Sequence, residues 1–381
     1  ADAQLLLALC ARPRLPPAAR DEIGARAERI QDWPVVLALA AQHGLGPLLY
    51  HHLRPTVDDL PAPVARQLWV QYAHHRRANE IRLSVLRDVL GALEDADILT
   101  TVLKGPLLID RVYADRGLRP MADLDLVVPP GQAIRAQRLL GDLGFIVHVP
   151  CSEHRFLRHH HLSPAVRKVD GLTVYVEIHR DAFDPVLGVS LEASTRATNA
   201  MAFEVCGYQA YSFPAEEVLW HLCRHCVSLR HRFRMIWAAD IVGFSEMFLS
   251  AIDWDRVRRC YPFVLSTLSL LHCLAPLPDR VLWAAGVSVV GAPRGIGEDY
   301  NGWPWDRARK WDSVGGRLRL LWQTFDPPDW WLRLNYGTGT GPTGAWRARV
   351  RHGIALMQHG VRLVHDARAF ARERSVERTT F

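Results

Sequence analysis

LKGPLLIDRVYADRGLRPMADLDLVV, residues 103–128, decides the fold. It sets two carboxylates, Asp123 and Asp125, one residue apart in an apolar run that reads as a strand. Successive strand side chains point to opposite faces, so residues i and i+2 share one. Like charges placed that way repel, and each raises the other's pKa unless a cation stands between them. Upstream, ILTTVL (98–103) has the length and β-branched content of a strand. Lys104-Gly105 then turns the chain, and Pro106 suits the first turn of a helix, expected to run about two turns to Tyr113.

Outward from this stretch the pattern stays α/β. Pro129-Pro130 stops the strand DLDLVV, GQAIRAQRLLGDLGF reads as a helix closing on Gly144, and FIVHV follows as another strand. LTVYVEIH (172–179) alternates cleanly after the hairpin signal Asp170-Gly171. Its parity places Thr173, Tyr175, Glu177 and His179 on one face and Val174, Val176 and Ile178 on the other. Glu177 is thereby a third carboxylate on a neighbouring strand. Helical periodicity flanks the unit: it runs through 34–53, and through 81–93 with Leu86, Val89, Leu90 and Leu93 on one stripe.

Three carboxylates, a glycine turn opening a helix and nearby Lys and Arg are what nucleotidyl transfer needs. Paired divalent ions require bridging oxygens, and Mg²⁺ takes one or two carboxylates plus substrate phosphates. Helix N-terminal N–H groups can hold the phosphate tail. LKG, RPMADLDLVV and VEIH together resemble the uncharacterised nucleotidyltransferase family of the polymerase-β-like superfamily, over roughly 34–240. VVLALAAQHGLGPLL upstream and EEVLWHLCRHC with MIWAAD downstream resemble that family's helical flanks.

The resemblance implies an α+β fold, with a small mixed β-sheet nucleotidyltransferase core between N- and C-terminal helical regions. It implies that Asp123, Asp125 and Glu177 are catalytic and hold Mg²⁺ or Mn²⁺, and that an NTP, ATP first among them, is the co-substrate. Lys104, Gly105 and Arg119 then bind the nucleotide, with Lys standing where the family carries a small residue and no Ser after the glycine. His179, His225 and Asp240 are candidates for orienting or facing the acceptor. A peptide or small molecule with a hydroxyl or phosphate is the acceptor the resemblance suggests, since family members often sit among peptide natural-product tailoring genes. The alternative is a catalytically silent module that binds a peptide or nucleotide.

Composition bounds these readings. A chain of 381 residues is long for one core, and 49% apolar with 23% charged residues is ordinary globular material. The expected divisions are a helical region at 1–95, the nucleotidyltransferase core at 96–205, a helical domain at 206–335, and a linker with a basic amphipathic helix at 336–381. A net charge of +6 suits an anionic ligand but names none; nucleic acid rests on that charge alone and is the weakest partner. Seven cysteines without scaffold spacing fit a reducing cytoplasm. LLLALC is short and has no basic region ahead of it, and FVLSTLSLLHCLAP reads as a core helix, so neither a leader nor a transmembrane segment is expected.

Several motifs read as decoys. HLCRHC (221–226) lies on one helix, where its ligands would wrap round two faces, so core packing is favoured over zinc. HHH (159–161) reads as a loop or strand edge. GTGPTG (339–344) satisfies a dinucleotide pattern literally but has no βαβ context and reads as a linker. Beyond it, 345–374 reads as a basic amphipathic helix whose apolar stripe is expected to dock on the protein, with a membrane surface or an acidic peptide as the alternatives. Trp303, Trp305, Trp330 and Trp331 would line an acceptor cleft or a core. Walker, G-x-S-x-G and H-E-x-x-H signatures are absent from the chain.

Overall fold

The alternating runs DLDLV and LTVYVEIH become adjacent parallel strands at the centre of a four-stranded mixed sheet. In the computed structural model of the chain the described residues are 2–55, 60–147, 160–183, 189–193, 199–226, 233–287, 325–327, 332, 336 and 346–357. Five helices come first: α1 (Asp2–Cys10), α2 (Pro17–Glu28), α3 (Trp33–His43), α4 (Gly46–Leu53) and the long α5 (Ala62–Asp95). The sheet region follows as β1 (Thr101–Val102), α6 (Gly105–Arg111), β2 (Asp123–Val127), α7 (Ala133–Asp142), β3 (Ala165–Val169) and β4 (Leu172–His179). A separate hairpin, β5 (Met201–Val205) with β6 (Tyr208–Ser212), precedes α8 (Ala215–Cys226), α9 (Met235–Met247), α10 (Trp254–Cys260), α11 (Pro262–Leu271) and α12 (Asp279–Ala285).

The sheet order is β1-β2-β4-β3, and only the β2–β4 pairing is parallel. One face is apolar: Leu124, Leu126, Val174, Val176 and Ile178 are all fully buried. α5 and α7 lie against this sheet, presenting Leu86, Val89, Leu90 and Leu93 from the first and Ala133, Ala136 and Leu140 from the second. Each Leu, Val or Ile side chain among them contributes about 1.5–3 kcal/mol when fully withdrawn from water. The opposite face carries the carboxylates. A parallel neighbour needs a crossover connection, which α7 begins.

Local chemistry explains the turns. Asp170 and Gly171 both take positive φ (48° and 82°), the two-residue hairpin geometry that the Asp-Gly pair favours. Two expected strands are shorter than their sequence suggests. ILTTVL pairs only at Thr101–Val102, and of FIVHV only Ile146 makes an isolated bridge, to Val166, while 148–150 lie outside the described residues. β-Branched content marked the extended conformation, but each segment has few residues facing a partner strand.

The chain divides into two compact units, the first comprising 1–185, 189–228 and 233–292, the second 186–188, 229–232 and 293–381. Within the second, 346–357 is helical, with Ala348 and His352 buried and the His352 ring held by the Tyr336 hydroxyl at 2.9 Å. The apolar stripe expected to dock is instead exposed at Trp346, Val350, Ile354 and Met357. The remainder of that helix, GTGPTG and the four late tryptophans lie outside the described residues.

Inside the first unit one buried ion pair ties the loop before β2 to α9. Arg119 Nε and Nη2 donate to Asp240 Oδ1 and Oδ2, both at 2.8 Å, and the Tyr113 hydroxyl donates to Oδ1 at 2.7 Å. Both Arg119 and Asp240 are buried. Removing one partner strands the other's charge, which typically costs about 3–5 kcal/mol, whereas an apolar replacement of both can be nearly neutral. Asp240→Asn should therefore lower the unfolding free energy by about 3 kcal/mol or more in urea titration, and Arg119→Met with Asp240→Leu should recover most of the loss.

Candidate active site

The parallel register sets Asp123 opposite Tyr175, Asp125 opposite Glu177 and Val127 opposite His179. Asp125 and Glu177 are therefore neighbours on the polar face, as their parity requires. Asp125 is only 5% exposed, while Asp123, at the start of the strand, is open to solvent. Three basic groups gather on the acids. Lys104 Nζ lies 3.0 Å from Asp125 Oδ2, and His179 Nε2 lies 3.3 Å from Asp125 Oδ1 and 3.5 Å from Glu177 Oε2. His161 Nδ1 is 3.9 Å from Glu177 Oε2 and hydrogen-bonds the Leu162 carbonyl at 2.7 Å.

Lys104 reaches Asp125 from a strained turn. Its φ of 39° lies in the left-handed region that disfavours a side chain. Strain of this kind, of order 1–3 kcal/mol, persists where surrounding contacts enforce it. Here the enforcing contacts are the ion pair, the Leu103 N–H to Asp125 carbonyl bond at 3.0 Å and the Leu108 N–H to Lys104 carbonyl bond at 3.0 Å. Gly105 follows because of packing: a Cβ there would stand 2.6 Å from Met121 Sδ and 3.3 Å from Arg119 Nη1.

The electrostatics follow from these contacts. Burial opposes charge on Asp125, yet the Lys104 ammonium and the His179 imidazole hold its carboxyl well below the usual range. Asp125's charge pushes Asp123 up to about 6, with partial loss of solvent and the charge of Glu177 adding to it. Burial lowers His179, but its hydrogen bonds to Asp125 and Glu177 win and raise it to about 9. His221, buried on α8 beside Lys104, Asp125 and His179, is driven down to about 3 chiefly by burial and is therefore neutral.

Asp125, Glu177 and His179 each offer a ligand atom within 4.8 Å of the others, and they are the one such group among the described residues. The two carboxylates suit a hard divalent ion such as Mn²⁺ or Mg²⁺, with the His179 ring, which shares its proton with both acids, standing beside them. Lys104 and protonated His179 already place positive charge where that ion would sit. The His179 ring is held through Nε2 by both acids, while its Nδ1 is buried without a hydrogen-bond partner. The residues thus fit a cation, with His179 in the cluster and Asp123 at its mouth.

The other expected site residues separate. Arg119 and Asp240, expected at the nucleotide and the acceptor, are locked together in the buried pair, and the Arg119 charge reaches Asp123 from within it. His225 is half-buried and packs edge-on against Trp237, ring centroids 4.8 Å apart. Cys223 and Cys226 are buried, and burial pushes both thiols up, so the HLCRHC helix packs as core. The HHH run, of which His159 lies outside the described residues, matters more than its sequence suggested. His160 and His161 stand as a strand edge beside His179, with ring centroids 5.4 and 5.2 Å from it, and His161 bridges to His179. A histidine run ahead of a strand whose last residue is also histidine was the available signal.

A family model described as uncharacterised nucleotidyltransferase matches residues 30–274, well over half of the chain, and the chain belongs to that family. No curated protein and no solved structure matches it.

Asp125 and His179 make opposite contributions to stability. Asp125 is depressed, so its contribution is present above the unfolded value near 4 and is lost as pH falls below it; His179 is raised, so its contribution is full below about 6.5 and is lost as pH rises through about 9. The imidazole resonances of His179 should titrate near pH 9 in the wild type by NMR. In Asp125→Asn, burial should then dominate and bring the midpoint below about 6.5.

Proposed function

We propose that this member of the uncharacterised nucleotidyltransferase family moves a nucleoside monophosphate from an NTP, ATP first among them, to a hydroxyl or phosphate of a peptide or small-molecule acceptor. The observation that carries the reading is the register pair Asp125–Glu177, which gathers two carboxylates and His179 around one cation-sized space. A divalent ion held by Asp125 and Glu177, with Asp123 and His179 beside it, would neutralise the triphosphate and the departing pyrophosphate.

The chain's own groups divide the remaining work. An acceptor oxygen attacks the α-phosphorus, the new O–P bond forms, and the bond from that phosphorus to the β-bridging oxygen breaks in line. Glu177, partly open to solvent, takes the acceptor proton. His179 already holds a proton up to about pH 9, so it serves to orient Asp125 and Glu177. Lys104 turns from Asp125 toward the phosphates, an exchange its strained backbone favours. Gly105, filled against Met121, keeps that turn close to β2. Arg119 adds positive charge near Asp123 from within its pair with Asp240. Cys10, Cys206, Cys223, Cys226 and Cys260 carry free thiols, which accords with a reducing compartment such as the cytoplasm, and no described helix is long and apolar enough to cross a membrane.

The Lys104–Asp125 contact also favours a second reading, a silent module in which the lysine permanently takes the cation's place and the chain only binds a nucleotide or peptide. α-Labelled NTPs with Mn²⁺ or Mg²⁺ and a panel of hydroxyl and phosphate acceptors separate the two. Transfer should occur, and Asp125→Asn should slow it by about 10²-fold or more, the size of effect seen when a preorganised charge contact is removed. Nucleotide binding without label transfer, unchanged in Asp125→Asn, would favour the silent module.

A further inference from the structure

A cavity of about 490 Å³ opens where the end of α5, the approach to β1, the turn after β2 and strand β6 meet. Ordinary ligand pockets measure roughly 300–1,000 Å³. It is separate from the carboxylate site, since none of Lys104, Asp123, Asp125, Glu177 and His179 lines it. Thr101 and Leu103 turn their backbone groups to β2, with the Leu103 N–H reaching the Asp125 carbonyl, so Thr100 and Val102 present theirs to the opposite edge. That edge meets β6, where the Ser212 hydroxyl donates to the Val102 carbonyl at 2.7 Å. Two residues earlier on the same face of β6 stands Ala210, which has no hydroxyl to offer. The Thr100 N–H and carbonyl accordingly find no hydrogen-bond partner among the described residues.

The cavity wall spends its donors and keeps its acceptors. The Tyr208 hydroxyl donates to Glu94 Oε2 at 2.6 Å, Gln132 Nε2 to the Asp97 carbonyl at 3.3 Å and Thr100 Oγ1 to the Ile98 carbonyl at 3.0 Å. Left over are Gln132 Oε1, buried without a partner, the Thr100 carbonyl and the Asp97 carboxylate, to which no described group donates. An acceptor withdrawn from water is costly until something donates to it. No described lysine, arginine or histidine lines the space, whereas Glu94, Asp97 and the rings of Tyr208 and Tyr211 do. Carboxylates and aromatic faces both attract a cation, and so do the free carbonyls at the C-terminal end of a helix, which α5 presents here. Asp97 holds its carboxylate there from a left-handed position (φ 53°) just past that end.

We propose that this cavity binds the guanidinium or ammonium of a basic residue in an extended peptide, and that the peptide acceptor of the transfer reaction docks there. The choice of the acceptor as ligand rests on the nucleotidyl-transfer reading above. The cation sits by Asp97 and Glu94 and donates to Gln132 Oε1, while its hydrocarbon stem packs on Ile98 and Pro129. The peptide backbone pairs with the open edge at Thr100, as in strand addition. From Thr100 to Leu103, whose N–H holds the Asp125 carbonyl, is roughly 10 Å of strand. An acceptor lying along β1 therefore carries its reacting hydroxyl or phosphate about three residues from the docked cation.

The test is fluorescence anisotropy of a dye-labelled peptide, Gly-Ser-Gly-Arg-Gly-Ser-Gly, with the full chain in EDTA. The same peptide with Gln for Arg is the comparison, and N-acetyl-arginine amide is the competitor. Wild type should bind the arginine peptide about ten-fold or more tightly than the glutamine peptide, and Asp97→Asn should remove most of that difference. Asparagine suits a left-handed position after a helix, so this variant changes the charge and leaves the helix end intact. Ala210→Ser, which sets a hydroxyl against the Thr100 edge, should weaken both peptides by a similar factor. Asp88→Asn, exposed on the same helix and paired with Arg87, should match wild type. Equal binding of the two peptides, no binding by wild type, or Asp97→Asn indistinguishable from wild type would overturn the site. Competition by N-acetyl-arginine amide at the peptide's own affinity would overturn its assignment to a peptide. Its failure is distinct from that of the proposed function: arginine-dependent binding with no label transfer defeats only the enzyme reading, and label transfer to peptides regardless of arginine or Asp97 defeats only the docking site.

Discussion

A carboxylate charge held almost wholly out of water, that of Asp125, is the constraint on which this structure depends. Burial alone would neutralise it, so the chain surrounds it with positive charge: Lys104 from the turn before α6 and His179 from the end of β4. The consequences spread outward. Lys104 must accept a left-handed backbone to reach it, and His179 must remain protonated well above its ordinary range. Glu177 is drawn in through the same histidine, because the parallel register leaves it beside Asp125.

The surroundings serve that arrangement. The apolar side of the sheet fixes β2 against β4, and a slip of one residue would turn Asp125 and Glu177 into the core. The Arg119–Asp240 pair clamps the loop that enters β2, and Gly105 lets that loop's Met121 pack against the start of α6.

Much of this was legible in residues 98–128 and 172–179. Period-two alternation fixed the faces of β2 and β4, and the Asp-Gly pair fixed the hairpin before β4, because strand parity and turn chemistry are local. What failed was long-range. Arg119 and Asp240 are 121 positions apart, and no local pattern marks them as partners, so each looked available for a ligand. The histidines at 160 and 161 looked like an edge, which they are, but only the antiparallel bridge to His179 brings them to the acids. The apolar stripe at 346–357 shows the same limit, since amphipathicity does not say which side is covered.

The central claim is that Lys104 and His179 hold the place of a divalent cation on Asp125. Anomalous diffraction from crystals grown with Mn²⁺ and a non-hydrolysable NTP analogue tests it most directly. The account predicts a manganese peak bound by Asp125 and Glu177, with the Lys104 ammonium withdrawn from Asp125 and turned to the phosphates. Lys104 still paired with Asp125, and manganese absent from those carboxylates, would contradict it.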